Sequence, residues 1–314
     1  MGYRPGMSDD VIVVGGGVIG LTTAIVLAES GRRVRVWCGT RPQESTSAVA
    51  GGLWWPYRIE PETLVGAWSL ASLRVYEELA RRPEESGVRL VGGLHAGARL
   101  DGLGPWAAHV AGLRESPEGV AAVLPLIDMP TYLRGLERRL TAAGGTIEVR
   151  RVERLPDAPL VVNCSGLGAR DLVPDPQVRP VRGQLVVVEN PGVRGWYTST
   201  EERGGETTYF FPQPYGLLLG GTAQEGDWNL APDPATAERI IARCARIHPK
   251  IADAPVRAHR VGLRPARDPG VRVEREVTAR GGVLVHNYGH GGAGVTVAWG
   301  CAEEAAALAA PPSG

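Results

Sequence analysis

The chain has 314 residues, 43% of them hydrophobic, which is enough to bury a sizeable core divided between two interleaved lobes. Lys plus Arg and Asp plus Glu balance at 34 each, so no field of one sign exists to gather nucleic acid or an anionic membrane, and neither is expected as a partner. No apolar run approaches the roughly 20 residues of a membrane span, and Met1 to Asp10 lacks the apolar centre of a signal peptide, so a cytoplasmic protein is expected.

The first element is an apolar strand over Val11–Val14. It runs into Gly15-Gly16-Gly17-Val18-Ile19-Gly20 and then a helix with Leu21, Ala24, Ile25 and Ala28 on one face, closed by Gly31. A G-x-G-x-x-G spacing between strand and helix is the dinucleotide fingerprint. Gly15 allows the tight turn, Gly17 lets a pyrophosphate approach the backbone, and Gly20 lets helix pack on strand. The exposed amides and the helix dipole then face phosphate. A second strand, Arg33 to Trp37, ends without the acid that would hold an NAD ribose. Cys38, Gly39, Thr40 and Arg41 stand there, with Glu44 the nearest acid, which leaves the ribose to backbone groups, Arg41 or hydroxyls and disfavours NAD.

Further along, Leu64, Ala67, Trp68, Ala71, Val75 and Leu79 make a helical face. Residues 84–125 are rich in Gly and Pro and yield no clear element. Tyr132, Leu133, Leu136 and Leu140 face inward from a helix ended by Gly144-Gly145, and Thr146 to Val152 and Leu160 to Asn163 read as strands. Gly183 to Val188, Thr207 to Phe211 and Gly216 to Gly221 form a strand group with no long helix between them. A helix then buries Ala237, Ile240, Ile241 and Cys244, and Val256 to Leu263 is another strand. Last, the strand Val283–Val285 feeds His286-Asn287-Tyr288-Gly289-His290-Gly291-Gly292-Ala293-Gly294-Val295-Thr296 into a helix with Val295, Ala298, Cys301, Ala302 and Ala305 at helical spacing. His286 and His290, without evident partners, read as braces of this turn. Cys38, Cys164, Cys244 and Cys301 lack metal-ligand spacing and read as small buried thiols, so no metal is expected.

Several segments carry a family resemblance. Ala50-Gly51-Gly52-Leu53-Trp54-Trp55-Pro56-Tyr57, Asn163-Cys164-Ser165-Gly166, Arg179-Pro180-Val181-Arg182-Gly183-Gln184, Val261-Gly262-Leu263-Arg264-Pro265 and the opening segment resemble the signatures of D-amino-acid oxidases. They come in that family's order from about residue 10 to residue 305, with only 84–125 unmatched. The resemblance implies non-covalent FAD, oxidation of D-amino acids to imino acids, and transfer of the electrons to dioxygen. After hydrolysis the products are 2-oxo acids, ammonia and hydrogen peroxide. The fold it implies is α/β, or α+β overall: a Rossmann-like FAD-binding lobe assembled from residues 8–53, 126–178 and 264–314, with an inserted antiparallel substrate lobe of residues 54–125 and 179–263.

Oxidation at the α-carbon requires the α-hydrogen to leave as hydride, pushed by the amine lone pair and accepted by flavin N5. No side-chain base is essential, and the protein supplies orientation and electrostatics. A carboxylate clamp is needed. The planar fork of Arg264 suits it, and by resemblance Tyr209 adds a hydrogen bond and the Gly292 carbonyl accepts from the amine. Leu53, Trp55, Tyr197 and Phe211 are expected to line the substrate pocket. For the cofactor the resemblance implies Gly15, Gly17, Val18 and Ile19 at the pyrophosphate. It implies Thr46 and Ser47 at phosphate or ribityl oxygens, Ala50, Gly51, Gly52 and Leu53 on the flavin face away from the substrate, and Val152 at the adenine. Ser165 belongs to the same set, and Gly292, Gly294, Val295 and Thr296 open a helix whose positive end faces flavin N1 and the C2 carbonyl.

D-Aspartate oxidases look similar but carry an extra arginine in the segment matching Gly220-Gly221-Thr222-Ala223-Gln224, where this chain has Ala223. Neutral substrates are therefore expected over acidic ones, with Arg203 as the residue that would rescue an acidic side chain. The stretch Thr198 to Thr208, with Gly204-Gly205 at its tip, reads as an open, mobile lid. A D-aspartate oxidase, a glycine- or sarcosine-type amine oxidase, an NAD-dependent dehydrogenase and a flavin-binding regulator without turnover remain alternatives. The expected small-molecule partners are a D-amino acid and dioxygen, and a homodimer stays open.

Overall fold

The structure, a computed structural model, describes residues 10–56, 61–203 and 206–310. Its elements in chain order are β1 (Asp10–Val14), α1 (Val18–Glu29), β2 (Arg33–Cys38), α2 (Thr46–Val49), α3 (Glu62–Leu79), α4 (Pro83–Ser86), β3 (Val88–Ala96), β4 (Arg114–Ser116) and β5 (Gly119–Ile127). Then follow α5 (Met129–Ala142), β6 (Thr146–Val149), β7 (Leu160–Asn163), α6 (Ala169–Leu172), β8 (Val178–Val188), β9 (Trp196–Arg203), β10 (Glu206–Gln213) and β11 (Gly216–Thr222). The chain closes with β12 (Gln224–Glu225), α7 (Pro234–Ile247), β13 (Val256–Arg267), β14 (Arg272–Val277), β15 (Val283–Tyr288) and α8 (Gly294–Leu308).

Two sheets organise these elements. The first has six strands in the order β14-β15-β7-β1-β2-β6, parallel except for β14. Both of its faces are covered, which is why Val11–Val14 of β1, Leu160–Val162 of β7 and Val283–Val285 of β15 are unbroken apolar runs. Val11, Val13, Val34 and Val36 pack with α1 and α8 through Leu21, Ile25 and Ala298, while Ile12, Val14, Val161 and Leu284 pack on the other side against Trp37, Leu155 and Leu172. Each such aliphatic side chain contributes about 1.5–3 kcal/mol on burial. N- and C-terminal strands lie in one sheet because β1 and β15 both pair with β7. The sequence-level expectation of a nucleotide lobe built from distant segments is thereby met.

The second sheet has nine strands, in the order β12-β8-β11-β10-β9-β3-β5-β4, with β13 also on β8. Strand alternation gives it two apolar faces. Val186, Val188, Phe210, Leu217 and Leu219 meet Ala237, Ile240 and Cys244 of α7, while Leu185, Val187, Phe211 and Leu218 face the interior shared with the first sheet. The Asp233 carboxylate caps α7 by accepting from the Thr236 amide at 2.9 Å.

Residues 84–125, where the sequence showed no clear element, hold β3 and β5, paired antiparallel from Val88↔Ile127 to Ala96↔Gly119. The strand expected to run to Val152 stops at Val149. The stretch 54–125 divides: β3, β4 and β5 join the large sheet, but α3 packs on α8, through Val65 and Trp68 against Val297 and Cys301. Gly300 permits this contact, since a Cβ there would stand 2.3 Å from the Trp68 Cα. The stretch 198–208 is a paired hairpin rather than an open loop, with Arg203 opposite Glu206 and Glu202 opposite Thr207. Its tip, Gly204-Gly205, lies outside the described residues, as do Tyr57 and the Arg203 side chain. Among the described residues no helix is long and apolar enough to cross a membrane, and no cluster of His, Cys, Asp or Glu is placed to hold a metal. All four cysteines are buried and free, and burial pushes the Cys164 and Cys244 thiols up to about 12.

Candidate active site and cofactor cleft

One continuous cavity of about 1080 Å³ runs between the two sheets, from the first glycine turn to the interior face of the large sheet. That is at the upper end of small-molecule sites, roomy enough for a dinucleotide with a substrate beside it. Both glycine-rich turns line it. Gly15 has φ +121°, and a Cβ on it would stand 2.2 Å from the Cys164 carbonyl oxygen; a Cβ on Gly20 would stand 1.9 Å from the Gly15 carbonyl oxygen. The two roles read from the fingerprint, tight turn and close packing, are therefore steric facts of this turn.

Ser47 faces the same turn. Its Oγ accepts from the Val18 amide at 2.9 Å, so Val18 does not offer a free N–H to a phosphate, while the Ser47 hydroxyl keeps its own proton to donate. Thr46, Gly39 and Thr40 line the same stretch, but Arg41 is not among the lining residues. At the other end the first turn of α8 has no side-chain cap and opens on the cavity at Gly292, Gly294, Val295 and Thr296. Uncapped amides at a helix N-terminus are an anion site. Thr296 is tied to the wall, its hydroxyl donating to the Trp55 carbonyl at 3.2 Å. Ser165 is held by Asn163, with Oγ to Oδ1 at 2.6 Å. Gly51 and Gly52 are small for cause: a Cβ on Gly51 would stand 2.7 Å from the Phe211 ring, and one on Gly52, at φ +83°, 2.1 Å from the Ile127 carbonyl oxygen. An elongated cleft with a bare helix N-terminus and a glycine turn fits FAD. Val152 is the one expected cofactor residue left out; it does not line the cavity and packs beside Trp37 behind the sheet.

Arg264 lines the cavity from β13. Paired opposite Val181 on β8, it donates from Nη1 to the Thr222 carbonyl at 2.9 Å and lies within hydrogen-bonding reach of the Tyr209 hydroxyl. Glycines make its room, since a Cβ on Gly183 would stand 2.4 Å from Nη2, and one on Gly292 3.5 Å from Cδ. Gly220 does the same for Tyr209, whose ring passes 2.0 Å from where a Cβ would be. Burial raises the Tyr209 phenol above its ordinary value against the pull of Arg264, so it is a hydrogen-bond donor at neutral pH. Tyr209 stacks on Phe211 at 4.9 Å, and Leu53 and Trp55 complete the lining. Trp54, in contrast, is plain core, its Nε1 donating to the Ser69 carbonyl at 3.1 Å.

Tyr197 corrects the sequence reading. It lies opposite Phe210 and stacks on that ring at 5.0 Å on the α7 side of the sheet, so it does not line the cavity. Alternation puts its neighbours Trp196 and Thr198 on the interior side instead. His286 also differs, having a partner: its Nε2 is 3.3 Å from Glu276 Oε2, although burial still lowers its pKa. His290 lines the cavity and burial pushes it down to about 3, so it is neutral and not an acid catalyst. Sequence reasoning missed His95 and Thr198, which line the cavity from β3 and β9. The only local signal was an imidazole in the run Val88–Ala96, obscured by Gly92-Gly93.

Comparison with known proteins agrees with this architecture. The family model described as FAD dependent oxidoreductase matches residues 10–308. A D-amino-acid oxidase from Streptomyces coelicolor is 61% identical, over 96% of each chain, and one from Rubrobacter xylanophilus 46% identical over 98% of each. A human D-aspartate oxidase is 36% identical over 95% of this chain and 94% of its own. Among solved structures, glycine oxidase from Geobacillus kaustophilus shares the fold with a TM-score of 0.77 at 21% identity, over 96% of this chain and 94% of that one. With the family model spanning both sheets and the cleft between them, the chain belongs to the FAD-dependent oxidoreductase family.

Proposed function

We propose that this protein is a D-amino-acid oxidase that converts neutral D-amino acids, dioxygen and water to 2-oxo acids, ammonia and hydrogen peroxide. The observation that carries the reading is Arg264: half buried in the cavity beside Tyr209 and Gly292, it makes no ion pair with any described residue. A guanidinium without a protein counter-charge suits a ligand carboxylate, gripped through both oxygens. The names of the relatives at 61% and 46% identity support the same reading.

FAD, when bound, supplies the hydride acceptor and the route of electrons to dioxygen. This chain's residues do the rest. Arg264 and the Tyr209 hydroxyl fix the substrate carboxylate, and the Gly292 carbonyl accepts from the amine. Three fixed points leave one hand of the α-carbon with its hydrogen aimed at the acceptor. Burial in a largely apolar cleft favours the neutral amine, whose lone pair drives hydride loss, so no side-chain base is required. Neutral substrates are preferred because Ala223 lines the cavity where a second cation would be needed for a distal carboxylate. The test is a peroxide-coupled assay with D- and L-alanine. The D form alone is expected to turn over, and equal rates would overturn the reading.

A further inference from the structure

The side-chain end of the pocket is not wholly apolar. Across three strands of the large sheet one row of paired residues runs His95 on β3, Thr198 on β9 and Tyr209 on β10. Paired residues project to the same face, so this row aligns the imidazole and the threonine hydroxyl with the tyrosine that meets Arg264. Two strand spacings separate the Tyr209 and His95 backbones, about 10 Å. That span accommodates a free amino acid with its carboxylate at one end and its side-chain terminus at the other.

His95 is built into this position. It is 6% exposed, its ring lies 4.8 Å from that of Trp55, and its Nδ1 is 2.7 Å from the Thr198 Oγ1. Gly93 lets the Trp196 ring lie over β3 beside it, since a Cβ there would stand 2.2 Å from that ring. With Nδ1 engaged by Thr198, Nε2 is left without a hydrogen bond to any described residue, in a residue that lines the cavity. That nitrogen is a free hydrogen-bonding position at the cavity wall, and a ligand group that fills it gains a bond shielded from bulk water.

We propose that His95 and Thr198 form a polar end to the substrate side-chain pocket and select D-amino acids whose side chain bears an uncharged hydrogen-bonding group, a carboxamide or a hydroxyl. This rests on the oxidase reading above. If Thr198 donates to Nδ1, Nε2 carries the proton and donates; in the other tautomer it accepts. A carboxamide or hydroxyl both donates and accepts, so it satisfies either tautomer. A carboxylate only accepts, and burial lowers the His95 pKa, so the ring offers it no charge. His95 is the specificity residue, and Thr198 is a positioning residue that sets its tautomer and orientation.

The experiment compares near-isosteric substrate pairs, D-asparagine with D-leucine and D-threonine with D-valine, by kcat/KM of the FAD-loaded enzyme. His95→Phe keeps a ring against Trp55 and removes both nitrogens; it is expected to lower the polar-to-apolar ratio about tenfold, the effect of losing one buried hydrogen bond. His95→Gln, which restores a donor and an acceptor, is expected to recover most of the ratio, and Thr198→Val to lower it part of the way without His95 being touched. Should His95→Phe fail to fold, Thr198→Val and His95→Gln still read the ratio. Ratios that stay at the parent value while D-leucine is oxidised normally overturn this inference alone. A parent enzyme that oxidises no D-amino acid overturns the oxidase reading and this inference with it.

Discussion

On the proposed reading Arg264 is the residue on which binding and stereochemistry both depend, and its surroundings set what its loss should do. Its fork sits over Gly183 and against Gly292, with Thr222 holding one arm. Arg264→Ala leaves a bound carboxylate partly desolvated without its cation, a loss of about 3–5 kcal/mol, or about two to four orders of magnitude in kcat/KM. FAD content, read from the flavin absorbance, should be unchanged, since the residue lies at the substrate end. Arg264→Lys keeps the charge but loses the fork and should stay well below the parent. If Arg264→Ala binds a competitive carboxylate inhibitor as tightly as the parent, Arg264 is not the clamp. A neighbouring position tests the proposed preference for neutral over acidic substrates. Ala223 follows Thr222, the residue that holds Arg264, and lines the same cavity. Ala223→Arg should raise kcat/KM for D-aspartate relative to D-alanine by at least tenfold, about 1.4 kcal/mol. A parent that already prefers D-aspartate would refute the neutral preference.

At the scale of elements, the two glycine turns carry the cofactor argument, and their sterics make a sharp test. In Gly20→Ala the new methyl meets the Gly15 carbonyl oxygen at 1.9 Å, backbone that cannot swing aside, so α1 must shift away from β1. Overpacking of this kind costs about 1–3 kcal/mol and moves the first-turn amides away from the phosphates. The variant should purify with less than half the parent's flavin and show a weaker FAD titration. Gly66→Ala in α3 is the control: nothing lies within 4 Å of its Cβ, and replacing a helical glycine should leave FAD content alone and stabilise by about 0.5–1 kcal/mol. Undiminished flavin in Gly20→Ala would mean that this turn does not hold the cofactor. These turns were legible in the sequence because strand, glycines and helix are contiguous there. β3 and β5 were not. Gly92-Gly93 interrupt the alternation of β3, Ala and Pro125 dilute that of β5, and the second partner of β3, strand β9, lies far along the chain. The face taken by Tyr197 was equally hidden, because which parity of β9 turns inward is set by its register with β10, not by its own residues.

In the whole molecule several ionisable groups are buried, His95 and His290 in the wall of the cleft and His286 and Asp175 away from it, and none of that burial is visible in composition. His290 is pushed down to about 3, and burial also lowers His95 and His286, the latter despite Glu276 at 3.3 Å. Outside the cleft, burial alone would raise Asp175, but hydrogen bonds from Arg267 Nε and the Tyr288 hydroxyl, each 2.8 Å, hold it below the usual carboxylate range. For every one of these groups the folded pKa lies below the unfolded one, so the unfolded chain binds more protons as pH falls, and protonation favours unfolding. The histidine contribution is fully present above about pH 6.5 and is lost as pH drops from there toward the folded values. The Asp175 contribution is lost only below about pH 4. Thermal midpoints of the FAD-loaded enzyme should therefore be flat from pH 7 to pH 8 and fall in two stages on the acid side. His290→Asn, which cannot take up a proton, should have a lower midpoint at pH 7 but a shallower decline between pH 6 and pH 4. A decline as steep as the parent's would assign the acid limb to other groups. Asp175→Asn should remove the second stage, leave the first intact, and lower stability at pH 7 by about 3–5 kcal/mol, because Arg267 is then left without its buried partner.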